Sequence, residues 1–318
     1  MSEQKLLDRI PAPLQLFVAA SLWGWGNVMQ KTILEHVGPF TAVGLTSTVA
    51  AFVLLPAASG ERRHKLLPKG TCQTTFVLPV VFFVLAIAFL QIGLGGTTVS
   101  NASFISSSSV ILAPLVAWAI LRERLNAGLL GPLAMTCVGL YMVTGTFQPS
   151  AICWGDMFSL LSAVFYSISI TLNGRHVRRT GQPALLSAVQ FAACGAICLC
   201  LGLILEQRPA AEFLYAVPEA LLLGVFCKAI PYFLVARAQQ SVSVSLANIV
   251  ISAEAPISAV TAFLLLGETM SSSAITGAAI VIVAIVISEP GSFLRAARQV
   301  QNRLQSFGEE IRQISMAA

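Results

Sequence analysis

Ten apolar segments follow one another along the chain, and they are the feature that most constrains its fold. They lie at roughly residues 13–34, 39–58, 75–94, 98–121, 127–147, 153–173, 183–205, 214–236, 241–267 and 272–289. A bilayer needs helices of about 20 apolar residues, whereas a soluble domain cannot bury so much apolar surface. Because 56% of the 318 residues are hydrophobic and only 10% are charged, the sequence predicts an all-α membrane protein with ten transmembrane helices.

The distribution of positive charge predicts how these helices are oriented. With the N-terminus inside, 16 of the 19 Lys and Arg residues fall in inner loops or tails. Lys31 and Arg208 fall outside, and Lys228 lies within an apolar segment. Since positive residues accumulate in cytoplasmic loops, we predict a multi-pass protein of the cytoplasmic (inner) membrane with both termini cytoplasmic. The net charge of +5 is then a topology signal, and no nucleic-acid partner is predicted.

The two halves of the sequence resemble each other at an offset of 145 residues. Aligning Glu123 with Glu268 pairs small and apolar residues of the fourth and ninth segments, and places Ser109 opposite Glu254. Each half holds five segments, so the second half must insert upside down relative to the first. Inverted repeats with a binding site near the bilayer midplane are a recurring plan among transporters.

The expected domain boundaries follow from these segments. They are 1–12 for a cytoplasmic N-terminus, 13–147 and 153–289 for the two five-helix repeats, and 290–318 for a cytoplasmic tail. Apolar residues recur in the tail at spacings of three and four, which is typical of an amphipathic helix. Such a helix favours the inner membrane surface, and a coiled-coil contact in a homodimer is the alternative.

Glu254 and Lys228 are the first candidates for a functional site. Glu254 lies near the middle of the ninth segment, where an ionised carboxylate costs about 2.5–3.5 kcal/mol to insert, so a partner is expected. Lys228, one segment earlier, is the expected partner, and whether the two side chains pair directly is left open. A structural ion pair is the alternative to a role in binding solute. A carboxylate in low dielectric binds a proton readily, whereas a nearby ammonium opposes this, so a coupling proton is left open.

Further candidates are aromatic and amide side chains within the apolar segments. Aromatic residues at helical spacing more often serve packing, and small polar residues often only let helices approach, so these structural roles are weighed beside a role in binding. The candidates are Trp23, Asn27, Gln91, Asn101, Tyr166, Gln190, Tyr232 and Asn248. Together with Glu254 and Lys228, they predict a cavity lined by segments 1, 3, 4, 6, 8 and 9, whose fixed charges come from the second repeat.

Residues that would indicate an enzyme or a metalloprotein do not assemble in the sequence. The seven cysteines lie mostly in apolar runs without disulfide or metal-ligand spacing. The histidines His36, His64 and His176 fall in connectors, and no nucleophile, base and orienting residue form a triad. We therefore predict neither a catalytic site nor a cofactor, and an intramembrane enzyme remains only as an alternative of a different class.

Three stretches resemble the ten-span drug/metabolite transporters built from two EamA repeats. TTVSNASFISSSSVILAPLVAWAILRERL is similar to the fourth span of that family. GDMFSLLSAVFYSISITLNGRHVRR is similar to its sixth span and basic loop, and AEAPISAVTAFLLLGETMSSSAITGAAIVIV to its ninth and tenth. The sequence departs from the family in having Thr46 where an arginine is frequent, and in separating Glu254 from Pro256.

The resemblance implies a function as well as a fold. It implies a transporter of small organic, amino-acid-like solutes, working by alternating access and more often exporting than importing. A multidrug exporter, an uptake permease and a non-transporting membrane protein are the alternatives. The partners expected are therefore a small-molecule solute and the lipid bilayer, with a coupling proton and a homodimer left open.

Overall fold

The computed structural model describes residues 10–64, 74–94, 96–97, 105–123, 126–144, 153–206, 210–267 and 269–288. Within these ranges the regular elements are all helical, which confirms the predicted all-α class. They are α1 (Ala12–His36), α2 (Pro39–His64), α3 (Thr74–Leu94), α4 (Ser109–Leu121), α5 (Ala127–Thr144), α6 (Trp154–Thr180), α7 (Pro183–Leu205), α8 (Ala210–Leu223), a π-helix (Gly224–Ala229), α9 (Ile230–Ala238), α10 (Val244–Ile251), α11 (Glu254–Leu266) and α12 (Ser272–Ser288). The predicted tail helix lies outside the described residues.

Seven helical stretches among the described residues are long and apolar enough to cross a membrane. They are Pro39–Arg62, Thr75–Leu94, Ala127–Thr144, Trp154–Thr180, Pro183–Leu205, Leu214–Ala238 and Val244–Leu266. Ile105–Leu121 and Ser272–Ser288 are shorter apolar helices, and α1 is a 25-residue helix of more mixed composition. Within the described residues, every predicted segment thus overlaps helical structure in a multi-pass membrane protein, while the count of ten spans and the domain boundaries stay predictions.

The ninth predicted segment is interrupted at its middle. Helix α10 ends at Ile251, a turn follows at Ser252 and Ala253, and α11 begins at Glu254. The fourth segment has the same interruption, because its helical stretch turns at Ser108 and α4 begins at Ser109. The backbone stays right-handed helical and hydrogen-bonded across both turns, with the Ser252 N–H donating to the Asn248 carbonyl and the Ser108 N–H to the Ile105 carbonyl. Each segment is therefore a bent helix that continues across its turn.

Helices α4 and α11 correspond residue for residue at the offset of 145. Both are 13 residues long, and each follows a residue in right-handed helical conformation, Ser108 or Ala253. Each also ends in a left-handed residue, which is Arg122 at φ 53° in α4 and Gly267 at φ 66° in α11. The sequence alignment and the backbone therefore agree on how the repeats correspond.

Helices α2 and α7 cap each other through a reciprocal pair of carboxylates. Glu61, near the end of α2, accepts a hydrogen bond of 2.9 Å from the backbone N–H of Leu185 at the start of α7. Glu206, just after α7, accepts bonds of 2.6 and 2.9 Å from the N–H groups of Phe40 and Thr41 at the start of α2. At the offset of 145 residues, Glu61 corresponds to Glu206, and Phe40 corresponds to Leu185. The two capping interactions are therefore equivalent in the two repeats. Carboxylates at helix N-termini satisfy unpaired donors and stabilise the helix dipole.

The packing of the helices shows the same exchange. Helix α2 packs along α7, and α5 packs along α12. In both pairs, a helix packs against the equivalent helix of the other repeat. Helix α3 of the first repeat packs along α6 of the second. The equivalent pair is α1 of the first repeat with the π-helix and α9 of the second, and these also pack together. Helix α4 contacts α6, just as α11 contacts α1. This pattern is what an inverted pair of five-helix repeats produces.

Helices α5 and α12 cross where a glycine of each meets the backbone of the other. A Cβ at Gly139 would lie 2.8 Å from the carbonyl oxygen of Gly277, and a Cβ at Gly277 would lie 2.6 Å from that of Gly139. Membrane helices associate through such close backbone approach, since lipid offers no hydrophobic driving force between them.

Candidate functional site

Glu254 is the first residue of α11, and its carboxylate meets the side chain of Asn27 on α1. Asn27 Nδ2 donates a hydrogen bond of 2.7 Å to Glu254 Oε1. Gly24, three residues earlier on α1, makes this approach possible, because a Cβ there would lie 2.8 Å from the backbone oxygen of Glu254. The Asn27 side chain is exposed and that of Glu254 is partly exposed. The amide of Asn27 therefore stabilises the carboxylate, which keeps part of its surface exposed.

A direct ion pair between Lys228 and Glu254 is not formed. Lys228 lies in the π-helix, and its Nζ donates to Ser47 Oγ at 2.9 Å and to the carbonyl oxygen of Val43 at 3.3 Å, both on α2. The sequence left direct pairing open, because charges on neighbouring segments meet only when their helix faces meet. Here α1 brings Asn27 to Glu254, while the face of the π-helix that carries Lys228 packs on α2.

The surroundings of Lys228 are neutral. Ser47 is fully buried, and its Oγ lies 3.7 Å from the Cys194 thiol, which in turn lies 3.9 Å from that of Cys198. Among the described residues, the hydrogen-bond partners of the Lys228 ammonium are therefore a hydroxyl and a carbonyl. Pro231 explains why the helix widens here, because proline cannot donate to the Cys227 carbonyl one turn earlier. π-Helices of this kind are frequent at functional sites.

An aromatic cluster around Tyr232 joins α1, α3, α7 and α9. The Tyr232 ring lies 4.9 Å from Trp23, 5.5 Å from Phe83 and 4.9 Å from Phe191, each in an edge-to-face arrangement. Trp23 and Tyr232 were predicted site residues. Phe83 and Phe191 were missed, since an aromatic residue in an apolar span has no distinguishing signal.

A small polar cavity adjoins Tyr232. It is lined by Phe83, Tyr166, Ile170, Asn173, Ser187, Gln190, Tyr232, Val235, Ala236 and Gln239. Tyr166 and Gln190, two predicted site residues, thus lie together, and Gln190 Nε2 donates to Asn173 Oδ1 at 2.9 Å. The cavity has room for about one water molecule, which is too little for an organic solute. Its walls belong to α3, α6, α7 and α9, so it differs from the predicted solute cavity lined by segments 1, 3, 4, 6, 8 and 9, which stays a prediction.

Arg178, near the end of α6, holds the turn that closes this cavity. Its Nε donates to the Gln239 carbonyl at 2.9 Å and its Nη2 to the Val242 carbonyl at 2.8 Å, while Nη2 lies 3.9 Å from Glu123 Oε1. Gln239 is fully buried and donates to the Ile170 carbonyl at 3.1 Å. These contacts fix Gln239, which lines the cavity, and the end of the molecule that carries them is called the latched face below.

The remaining predicted residues lie elsewhere. Gln91 is buried on α3 eight residues beyond Phe83, about 12 Å along the helix. Asn248 is buried and donates to the Val244 carbonyl of its own helix at 2.9 Å, which supports a structural role. Asn101 lies outside the described residues. In the described part of the chain, no three His, Cys, Asp or Glu side chains are placed to hold a metal ion.

A family model described as the EamA-like transporter family matches the chain twice, over residues 11–145 and 153–288. Each match covers five of the predicted spans, and together they include every candidate residue of the site. A crystal structure of another protein superposes with a TM-score of 0.74 at 18% identity, covering 88% of this chain and 98% of that one. This second likeness concerns the fold alone.

Relatives of the chain are named as transporters. An uncharacterized transporter of Archaeoglobus fulgidus is 27% identical over 59% of this chain and 56% of its own length. An uncharacterized transporter of Clostridium kluyveri is 22% identical over 79% of this chain and 83% of its own. An S-adenosylmethionine/S-adenosylhomocysteine transporter of Chlamydia trachomatis serovar D is 27% identical over 46% of this chain and 45% of its own. The chain thus spans about half the length of the first and third of these relatives.

Proposed function

Because the chain belongs to the EamA-like transporter family, and is thus a membrane transporter, we propose that it exports a small organic, amino-acid-like solute by alternating access. The observation that carries this proposal is the position of Glu254. This carboxylate lies at the bend of the ninth segment, is partly exposed and is held by the amide of Asn27, and an ionisable side chain within a membrane span indicates a functional site. The membrane proposed is the cytoplasmic (inner) membrane, with both termini cytoplasmic.

The alternating-access part of the proposal is supported by the contrast between the two sides of the Tyr232 cluster. On one side lies a cavity of about one water molecule, closed at the latched face by Gln239 and Arg178. On the other side, Asn27 is exposed and Glu254 is partly exposed. Opening of the latched face, together with movement of the Tyr232 cluster, would connect the site to that face. Transporters with inverted repeats achieve this by rocking one bundle against the other.

A second candidate solute is S-adenosylmethionine, which relatives are named for transporting. This solute combines a sulfonium cation, an amino acid and an adenine ring. Glu254 offers a counter-charge for the cation, and Trp23 and Tyr232 offer aromatic surface. A multidrug exporter or an uptake permease would use the same site with another solute or direction.

The test is solute counterflow into proteoliposomes containing the full chain. The panel comprises amino acids, S-adenosylmethionine, S-adenosylhomocysteine and cationic drugs, with protein-free liposomes as the control. We expect at least one amino-acid-like solute to enter well above the control. Uptake into inverted vesicles gives the direction, and an imposed pH gradient tests for a coupling proton. Absence of movement for the whole panel would contradict the proposal and favour a non-transporting protein.

A further inference from the structure

Helix α1 and the helix carrying Lys228 lie side by side and run in opposite directions. Trp23 contacts Tyr232, and a Cβ at Gly26 would meet the side chain of Cys227, so residue numbers rise along one helix as they fall along the other. Asn27 directly follows Gly26, and Lys228 directly follows Cys227. Both therefore lie about one turn, roughly 6 Å, from the Trp23–Tyr232 pair and on the same side of it.

The two charges at this level are held apart, each by neutral partners. Glu254 is held by Asn27, and Lys228 is held by Ser47 and the Val43 carbonyl. An ammonium has three donors, and these contacts use two of them. Lys228 and Glu254 are both partly exposed. Each charge thus retains hydrogen-bonding capacity beyond its neutral partners.

Buried charges without an opposite charge are unfavourable, and a bound group of opposite charge removes that penalty. A solute carrying both a carboxylate and a cation would satisfy Lys228 and Glu254 at once, whereas a solute with a single charge would leave one of them uncompensated. The Trp23–Tyr232 pair would lie beneath such a solute and offer apolar contact to the part that joins its charges.

We propose that Lys228 with Ser47 binds the carboxylate of the solute, that Glu254 with Asn27 binds its cationic group, and that the site thereby selects zwitterions. This inference rests on the proposed function, and it assigns each end of the amino-acid-like solute to a named residue. The pseudo-symmetric positions in the first repeat are Phe83 and Ser109, so only one orientation of the zwitterion is favoured.

The test compares matched solutes by counterflow. L-Methionine is set beside 3-(methylthio)propylamine, which lacks the carboxylate, and 4-(methylthio)butanoate, which lacks the amine. L-Phenylalanine, phenethylamine and 3-phenylpropionate form a second set. We expect the wild type to move a zwitterion at least about 10-fold faster than either singly charged analogue, since unpaired polar groups in a site discriminate strongly.

Two variants assign the ends of the solute, and a third, Lys228→Arg, is the conservative control. Lys228→Met should abolish the preference for the zwitterion over the amine. Glu254→Gln should abolish the preference for the zwitterion over the carboxylate. Lys228→Arg should keep the preference for the zwitterion over the amine. Each ratio is taken within one variant, so it does not depend on how much protein folds. Movement of singly charged analogues as fast as zwitterions by the wild type, or equal loss of both preferences in both variants, would overturn the inference alone. Movement of no solute would overturn it together with the proposed function.

Discussion

The two repeats of this transporter share their backbone architecture and their capping carboxylates, but not the charges of the candidate site. The break in the fourth segment at Ser109 matches the break in the ninth at Glu254, and the cap made by Glu61 is returned by Glu206. At the site, however, Phe83 and Ser109 of the first repeat stand where the second repeat has Lys228 and Glu254. Both repeats therefore carry the features that determine the fold, whereas only the second repeat carries the charged residues of the candidate site.

This difference separates the structural role of the broken helix from its chemical role. Helix α4 begins after a turn and runs for 13 residues without a carboxylate at its first position. The break in α11 thus does not need Glu254. Since a carboxylate at this depth is unfavourable, its presence in only one repeat is best explained by what it binds.

The largest effect on stability is expected where α5 and α12 cross, because there the two repeats share one contact. Gly139→Leu and Gly277→Leu should each destabilise the protein by about 3 kcal/mol, since each new Cβ would meet the carbonyl of the other glycine. Thermal unfolding in detergent measures this, with Gly131→Leu, where a Cβ meets nothing within 4 Å, as the matched control. A large loss in only one of the two crossing variants would contradict a contact that depends on both glycines.

Removing the carboxylates that cap α2 and α7 should have an intermediate effect on stability. Glu61→Ala removes the acceptor of the Leu185 N–H, and Glu206→Ala that of the Phe40 and Thr41 N–H groups. Each substitution should lower the free energy of unfolding by about 1–3 kcal/mol, because buried donors are left unpaired. Denaturant unfolding measures both. An effect of Glu206→Ala without one of Glu61→Ala would show that the caps are not equivalent.

The smallest effect on stability is expected from substitutions at the C-terminal ends of α4 and α11. The effect should be opposite in sign in the two repeats. Arg122 adopts φ 53°, which is unfavourable for a residue with a Cβ, whereas Gly267 fills the equivalent position at φ 66°. Arg122→Gly should therefore be neutral or stabilising by up to about 1 kcal/mol, and Gly267→Ala destabilising by about 1 kcal/mol. Melting temperatures give the sign, and a loss in both variants would contradict this account.

Much of the fold could be predicted from the sequence, because membrane insertion leaves few alternatives to apolar helices. The offset of 145 residues between Glu123 and Glu268 also predicted which helices correspond, since breaks and helix ends follow local sequence. The site was predicted less completely. Glu254, Asn27 and Tyr232 were identified because polar or aromatic side chains stand out in apolar spans, but their partners depend on which helix faces meet.

The errors at the site have the same origin. Lys228 was expected beside Glu254 because the two side chains carry opposite charges. Its ammonium instead donates to Ser47, a small polar residue of α2. The run of Thr46, Ser47 and Thr48 within an apolar span was the available signal. The π-helix that positions Lys228 has only Pro231 as a marker, and proline within a membrane helix has many other consequences.

The most direct test of the central claim compares Glu254→Gln with Ser109→Ala by the initial rate of counterflow of the amino-acid-like solute that the wild type moves best. The two substitutions change the first residue of equivalent helices, α11 and α4, so they disturb the backbone alike. If the second repeat alone supplies the functional charge, Glu254→Gln should lower the rate about 100-fold, equivalent to about 2.7 kcal/mol, while Ser109→Ala changes it less than about 2-fold. Equal losses in the two variants, or an unchanged rate in Glu254→Gln, would contradict the claim.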